Sequence, residues 1–418
     1  MGIGLEGWAA VRRKARQSVF LTFELLGGGL IMPIVCIVRL IRPLVLIRFG
    51  PIRSDVIGHF VFDPEYYLSK RELNKVRTID FFYFQSSPSP NEQWALMIRR
   101  HLRVFPIVWY IDRLNQKIPG GQAHIVRLVP EGFGDRDFEG VLTHTEPRIK
   151  FTKAENKRGR RFLEELGFES NERFVCLIVR DSMYKEKYQK WGNRDWSYHN
   201  YRDCDIDTYE EAALALAEKG YWVFRMGKAV NKPFRVNHPR VLDYANAPYR
   251  SDFLDIWLMA NCFFCVSTGT GLDNVAKVYN RPVVFTNFIP LRYLHTEQFC
   301  LSVPKHLIWI QTKKPLDFSE HWTHDYLQSQ KYEDAGIVVR DLTPAEIKEV
   351  VLEMVARLDG SWVDNVEDKN LQKLFWDQVK SHPDDKNLHG YIHDEARVGA
   401  KFLRQNNYLI GAETLINK

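Results

Sequence analysis

The chain has 418 residues, two to three domains' worth, which excludes a single small binding module. Its 45% hydrophobic and 26% charged residues are ordinary for a globular protein and exclude a disordered chain. The formal net charge is +6, yet residues 1–60 carry eight basic and three acidic residues, a net +5, so the body is nearly neutral. A protein that coats nucleic acid would spread its basic residues over a working surface. Here they surround one apolar segment, which points to a membrane surface instead.

That segment, Val19 to Val38, reads VFLTFELLGGGLIMPIVCIV. It is about long enough to cross a bilayer, but Glu24, Gly27-Gly28-Gly29 and Pro33 interrupt it. It lies too far from the start, and lacks the cleavage pattern, for an ordinary signal peptide. Basic residues on both flanks argue against a simple span. An interfacial or re-entrant helix broken near Gly29 to Pro33 satisfies both; a buried apolar helix of the first domain is the alternative. Residues 1–42 are therefore expected to associate with a membrane, at the cytoplasmic face of the inner membrane.

After Pro43 strands and helices alternate. Leu44–Phe49 is expected as a strand closed by a turn at Gly50-Pro51, followed by strands at Thr78–Phe84 and His124–Leu128 and helices at Asn91–Leu102 and Val108–Gln116. Ala154–Leu166 is a charged connecting helix. The second half has strands at Phe174–Arg180, Tyr221–Met226, Phe263–Ser267 and Pro282–Phe285. Its helices are Thr208–Lys219, Asp252–Ala260, Leu272–Tyr279 and Ala345–Leu358, the last N-capped by Thr343. Strands alternating with helices mean parallel sheets covered on both faces. The expected fold is α/β, with two doubly wound Rossmann-like domains facing a cleft. Residues 43–165 form the acceptor domain and 166–375 the nucleotide domain, and helices over 376–418 return toward the first domain.

The six cysteines are scattered, which excludes a disulfide framework. Cys262 and Cys265 form a C-x-x-C inside a buried-strand sequence and read as two small core residues.

Ligands in doubly wound folds bind at the carboxyl ends of the strands. The strand FFCVS runs into Ser267-Thr268-Gly269-Thr270-Gly271 and at once into a helix carrying Asn274. Glycines, hydroxyls and free N–H groups at a helix start suit a pyrophosphate; a ligand-free tight turn is the bland alternative. Arg180 and Asp181, then Arg225, Gly227 and Lys228, close neighbouring strands, and Arg250 and Asp252 open a helix. Arginine and lysine suit phosphate, and Asn287 suits a base or sugar hydroxyl. The overlapping D-x-D triplets in Asp203–Asp207 could hold a divalent metal under a diphosphate, but they end no strand. Asp207 with Glu210 reads better as a helix-capping pair. No metal is expected. The loop Trp196–Arg202, with His199 and Arg202, is placed along the cleft. In the first half, Asp55 or His59, in the loop after the first strand, could take a proton from an attacking hydroxyl; a helix cap and a surface histidine are the alternatives.

At these residues the sequence resembles the GT-B glycosyltransferases. Phe263 to Phe288 looks like the nucleotide-sugar loop of heptosyltransferase-like and fucosyltransferase-like enzymes. More closely, the chain resembles a family of bacterial surface-polysaccharide glycosyltransferases, which make lipopolysaccharide, O-antigen or capsule. Arg180, Asp181, Ser182 and Tyr184, with YHNYRDCDIDTY, YWVFRMGK and RSDFLDIWLMANCFF, carry the likeness. The resemblance implies a GT-B fold, a nucleotide-sugar donor held by the second domain, a lipid-linked or glycan acceptor, and no cofactor or obligatory metal. Heptosyltransferases put a carboxylate base in the loop after the first strand, and Asp55 occupies a comparable place in a different motif. A polysaccharide pyruvyltransferase, a nucleotide-sugar epimerase and a silent nucleotide-sugar-binding subunit are the alternatives.

Overall fold

The computed structural model describes residues 31–75, 77–132, 134–188 and 197–411. Most of the expected membrane segment, residues 19–30, and Trp196 therefore lie outside the described residues. The remainder of that segment is a helix over 31–40, α1. It buries Ile31, Val35 and Val38, one face of a 3.6-residue repeat. Among the described residues no helix is long and apolar enough to cross a membrane.

The first unit is small. Its sheet has order β1-β2-β3, from β1 (Leu46–Ile52), β2 (Thr78–Phe84) and β3 (Arg103–Val104), all parallel. β1 passes through Gly50-Pro51, where a turn was expected. The glycine serves close approach instead: a Cβ there would lie 2.1 Å from the Val126 carbonyl oxygen. The expected strand at His124–Leu128 is a short 3₁₀ turn, Gly121–His124, with a single bridge from Ile125 to Phe49. After β1 comes α2 (Ile57–Asn74), then α3 (Glu92–His101), capped by the Asn91 side chain, which accepts from Trp94 N at 2.9 Å. α4 (Ile107–Lys117) packs with the helix over 31–40 on one sheet face, while α2 and α3 cover the other.

The linking helix α5 (Lys153–Glu165) starts with a Thr152–Glu155 capping box and lies on the second unit. Gly159 lets it sit flat on Trp257, whose indole donates to Asn156 at 3.1 Å.

The second unit is built around β4 (Phe174–Ile178), β5 (Trp222–Arg225), β6 (Val241–Leu242), β7 (Phe264–Ser267), β8 (Val283–Phe288) and β9 (Cys300–Pro304). Between them run α6 (Met183–Tyr188), α7 (Glu210–Glu218), α8 (Asp252–Asn261) and α9 (Asp273–Val278). Beyond β9 follow β10 (His306–Trp309), α10 (Phe318–Thr323), α11 (Ser329–Asp334), β11 (Ile337–Arg340) and α12 (Pro344–Leu358). The chain then forms α13 (Val366–Ser381), α14 (Asp385–Leu388), β12 (Arg397–Val398) and α15 (Ala400–Gln405). The sheet order is β12-β9-β8-β7-β4-β5-β6, all parallel. Read from β6 to β9, this is the 3-2-1-4-5-6 order of a Rossmann sheet, and its order reverses between β4 and β7. β4, β7 and β8 are buried along their whole length, as strands covered on both faces must be.

The two units meet where α2 packs on α9 and α3 packs on α8. Among the described residues, α13 and α15 stay on the second unit. β12 extends the second sheet beside β9, and α15 packs on α12 and α13. α14 and the turn after it reach across, where Arg136 donates to the Leu388 carbonyl at 2.7 Å and Tyr391 N donates to the Phe138 carbonyl at 3.0 Å.

Candidate active site

The switch point between β4 and β7 opens into a cleft of about 450 Å³ between the units. Arg180 follows β4 there, and the turn Gly269–Gly271 follows β7. The turn is organised from behind. Ser267 Oγ donates to Asp273 at 2.5 Å and accepts from Gly269 N at 3.0 Å. The Asp273 carboxylate accepts from the amides of Thr270 and Gly271, both at 3.0 Å. The backbone donors expected to cradle a pyrophosphate are thus already spent on a buried carboxylate. What the turn offers the cleft is the Thr270 hydroxyl, a buried oxygen without a hydrogen bond. Thr268 braces β4, its Oγ1 accepting from Arg180 N at 2.9 Å.

Cations line the cleft, Arg136 from the first unit and the others from the second. Arg180 pairs with Asp203 at 3.0 Å, Lys277 with Glu297, and Arg292 with Asp325. Arg202 donates to the Gly269 carbonyl at 2.8 Å, and Arg136 to the Leu388 carbonyl at 2.7 Å. These last two guanidinium groups both lie over the Tyr293 ring, at 5.6 and 5.2 Å. Burial lowers the pKa of Arg180, and Arg202 beside it adds to the effect, so an arriving anion relieves both. For Lys277 burial acts downward, but Glu297 and Asp135 outweigh it and raise the pKa, so the amine stays charged.

The first unit supplies the opposite wall through Val56–His59 and Gly134–Phe138. His59, at the start of α2, faces the cleft, and its Nδ1 lies 3.1 Å from Asp63 Oδ1, one turn along. Burial lowers the His59 pKa, but Asp63 and then Asp135 outweigh it, and the net shift is upward. Asp63 is itself raised by burial. Asp135 holds the Asn274 amide at 2.6 Å across the cleft. Burial raises its pKa, but Lys277 and His59 prevail and lower it, so it is ionised. Gly58 sits where the walls touch: a Cβ there would lie 2.7 Å from Asp135 Oδ2 and 3.3 Å from Gly271 Cα.

Of the residues expected from sequence, His59, Arg180, Tyr184, Arg202, Gly269, Thr270, Gly271 and Asn274 line this cleft. Asp55 does not; it faces Arg53 at 3.6 Å outside it. Arg225 is buried against Asp243 at 3.1 Å. Asn287, also buried, accepts from Leu342 N at 2.7 Å and donates to Tyr209, tying strand ends rather than meeting a sugar. Gly227 and Lys228 border a smaller neighbouring pocket. Lys228 donates to the Pro90 carbonyl at 2.7 Å, Arg250 pairs with Asp255 at 2.9 Å, and Asp252 accepts from Glu92 N at 2.8 Å. Lys228 and Asp252 brace the contact between α3 and α8, while Arg250 is tied to α8 itself. Asp181 holds the Asn231 amide at 2.8 Å, and His199 stacks on Tyr198 outside the cleft lining. In the D-x-D stretch the cap is Asp205, which accepts from Asp207 N at 2.9 Å; both pair with Lys232. Among the described residues no group of three or more His, Cys, Asp or Glu is placed to hold a metal ion.

Sequence reading missed Asp63, Asp135, Arg136, Lys277, Arg292, Tyr293 and His295. Only Asp63 carried a local signal, standing four residues after His59 on one helix face.

No family model and no curated protein matches the chain. Solved structures similar to it include the ADP-heptose LPS heptosyltransferase II of E. coli, at 13% identity and TM-score 0.41, covering 75% of this chain and 100% of that one. A glycosyl transferase family 9 structure from Veillonella parvula aligns at 8% identity and TM-score 0.46, over 75% of this chain and 98% of that one. The heptosyltransferase TibC, solved with ADP-D-beta-D-heptose and containing iron, aligns at 15% identity and TM-score 0.34, over 75% and 77%. With TM-scores below 0.5, the fold rests on this chain's own strand order. What that order and the cleft define is a two-unit α/β protein with a cationic switch-point site.

Proposed function

We propose that the protein is a glycosyltransferase that moves a sugar from a nucleotide-sugar donor to a lipid-linked glycan acceptor in the synthesis of a bacterial surface polysaccharide. One observation carries the reading: a histidine–aspartate pair on one wall of the cleft faces a cluster of cations on the other. The donor diphosphate sits against Arg180, Arg202 and Arg136, with Lys277 behind and the Thr270 hydroxyl as a further donor. The acceptor hydroxyl enters from the first unit. Its oxygen attacks the anomeric carbon while the bond to the diphosphate breaks. Its proton passes to His59 Nε2, since Nδ1 is engaged by Asp63. The electron pair of the broken bond stays on the diphosphate, where the guanidinium groups meet the growing charge. No step is routed through a metal. The Asp135–Asn274 bond pins the two walls at the spacing this transfer requires.

The reading places the protein at the cytoplasmic face of the inner membrane, with residues 1–42 bringing it to its acceptor. The deciding experiment is a thermal-shift panel of UDP-, GDP-, CMP-, ADP- and dTDP-sugars, followed by donor turnover in His59→Ala. One donor should raise the midpoint by mass action, and His59→Ala should keep that shift while losing turnover. Absence of a shift with every donor would sink the reading. Full turnover in His59→Ala would remove the base, and turnover absent from both proteins with binding intact would favour a silent binding subunit.

A further inference from the structure

Exposed apolar side chains are normal when scattered singly, but here they are not scattered. Of the sixteen large apolar side chains that are exposed among the described residues, eight fall within 32–44 and 105–110. Ile37, Leu40 and Leu44 are 56%, 78% and 88% exposed, and Phe105, Ile107 and Tyr110 are 49%, 51% and 45% exposed. The two stretches belong to one body. The helix over 31–40 and α4 share a small core of Ile31, Val35, Val38, Val108 and Ile111. Arg39 bolts them together, donating to the carbonyls of Pro119, Asn115 and Ile118 at 2.7, 3.0 and 3.1 Å.

The charge around these helices is of one sign. Residues 31–54 contain no acidic residue, and residues 102–130 contain only Asp112. Asp112 is buried and accepts from the Tyr83 hydroxyl at 3.0 Å, so it does not face outward. Arg42, Arg103, Arg113 and Lys117 are exposed around the apolar side chains. Arg113 lies over the Trp109 ring at 4.6 Å, an arrangement of cation and aromatic suited to the headgroup level. A protein partner for so uniform a surface would need a matching acidic rim. A bilayer with anionic headgroups supplies both parts at once, hydrocarbon for the apolar side chains and phosphate for the cations.

We infer that the outer face shared by the helix over 31–40 and α4 docks the protein on an anionic bilayer, with Phe105, Ile107 and Tyr110 as anchors additional to the N-terminal segment. The inference deepens the membrane-facing part of the proposed function and rests on it, while the transfer chemistry is separable. Docking here requires no span. It places the membrane on the sheet face opposite α2 and α3.

The test is flotation of the full chain with phosphatidylglycerol-containing vesicles and with phosphatidylcholine vesicles. Two double variants are compared, Phe105→Asp with Ile107→Asp, and Ile37→Asp with Leu40→Asp. Binding is expected to the anionic vesicles, to weaken with salt, and to fall about tenfold or more in each double variant. Thermal midpoint and donor-induced shift should stay unchanged, which separates lost docking from lost folding. Wild-type binding in the α4 double variant would overturn the inference, because the N-terminal segment would then act alone. Absence of binding to either vesicle would overturn it too, as would a dimer in solution that these substitutions dissociate. A failed donor panel with intact vesicle binding would remove the transferase reading and leave the docking surface standing.

Discussion

The two walls of the cleft differ in how they hold charge. On the second unit's wall the cations are mostly saturated: Arg180, Lys277 and Arg292 each have a carboxylate, and only Arg202 meets a carbonyl alone. On the first unit's wall His59 and Asp63 share a hydrogen bond inside a buried helix, and burial presses on both. One wall is organised to receive a fixed negative charge, the other to exchange a proton. A site with both functions on one unit would need like and unlike charges packed together, which costs desolvation twice. Dividing them between two units leaves Asp135 as the link, holding Asn274 and biasing both Lys277 and His59.

This division can be broken from either side. The largest effect is expected for His59→Ala, a loss of about 10²–10⁴ in kcat with donor binding kept, measured by donor turnover against thermal shift. Arg202→Ala should cost about 10² in kcat, because its guanidinium acts on charge that grows in the transition state. Asp63→Asn is expected to cost about tenfold and to move the pH profile. The rate should rise with pH as His59 loses its proton. Since the His59 pKa is raised, that limb lies above the ordinary imidazole value, and without the Asp63 charge it should move to lower pH. The same shift makes the pair stabilising below the ordinary imidazole pKa, with the gain lost as pH rises through the folded value. Asp273→Asn should destabilise the protein by about 2 kcal/mol in denaturant melts, since it unsettles three hydrogen bonds behind the turn. Asp55→Asn sharpens the comparison by doing least: kcat should be unchanged, because its side chain faces Arg53 outside the cleft.

Much of the second unit was legible in the sequence. Its central strands are continuous apolar runs punctuated by glycine, and α8 and α12 have side-chain caps in Ser251 and Thr343, so local patterns and tertiary structure agree. Thr343 caps α12 where expected, accepting from Glu346 N at 3.3 Å. The first unit was harder for a physical reason. α2 is buried between its own sheet and α9, so ten of its 18 residues are buried, among them Asp63, Glu65 and Ser69. Over 60–67 every residue of it is buried, so that stretch shows no polar stripe, and Pro64 inside it reads as a break. Glu65 shows the cost of such a place. Burial pushes its pKa up to about 7, although the amides of Arg148 and Ile149 hold the carboxylate. Asp135, Arg136, Arg292, Tyr293 and His295, which escaped notice, come from loops and a short 3₁₀ turn whose neighbours are set by tertiary packing. Arg136 and Tyr293 are 157 positions apart and meet as cation and ring. The strand-end cations Arg225, Lys228 and Arg250 were misleading in the opposite way. They stand where a ligand is usually met, but Arg225 and Arg250 close ion pairs inside the second unit and Lys228 rivets the units together.

The Asp273 carboxylate behind the glycine turn carries one more consequence. By occupying the amides of Thr270 and Gly271, it acts as a resident surrogate for the phosphate that such a turn usually waits for. The loop is therefore preloaded, and its shape does not depend on substrate. Discrimination among donors then passes from amides, which every anion satisfies alike, to side chains that substitution can retune one at a time. If the proposed transfer holds, the chain can change its donor without rebuilding the loop beneath it.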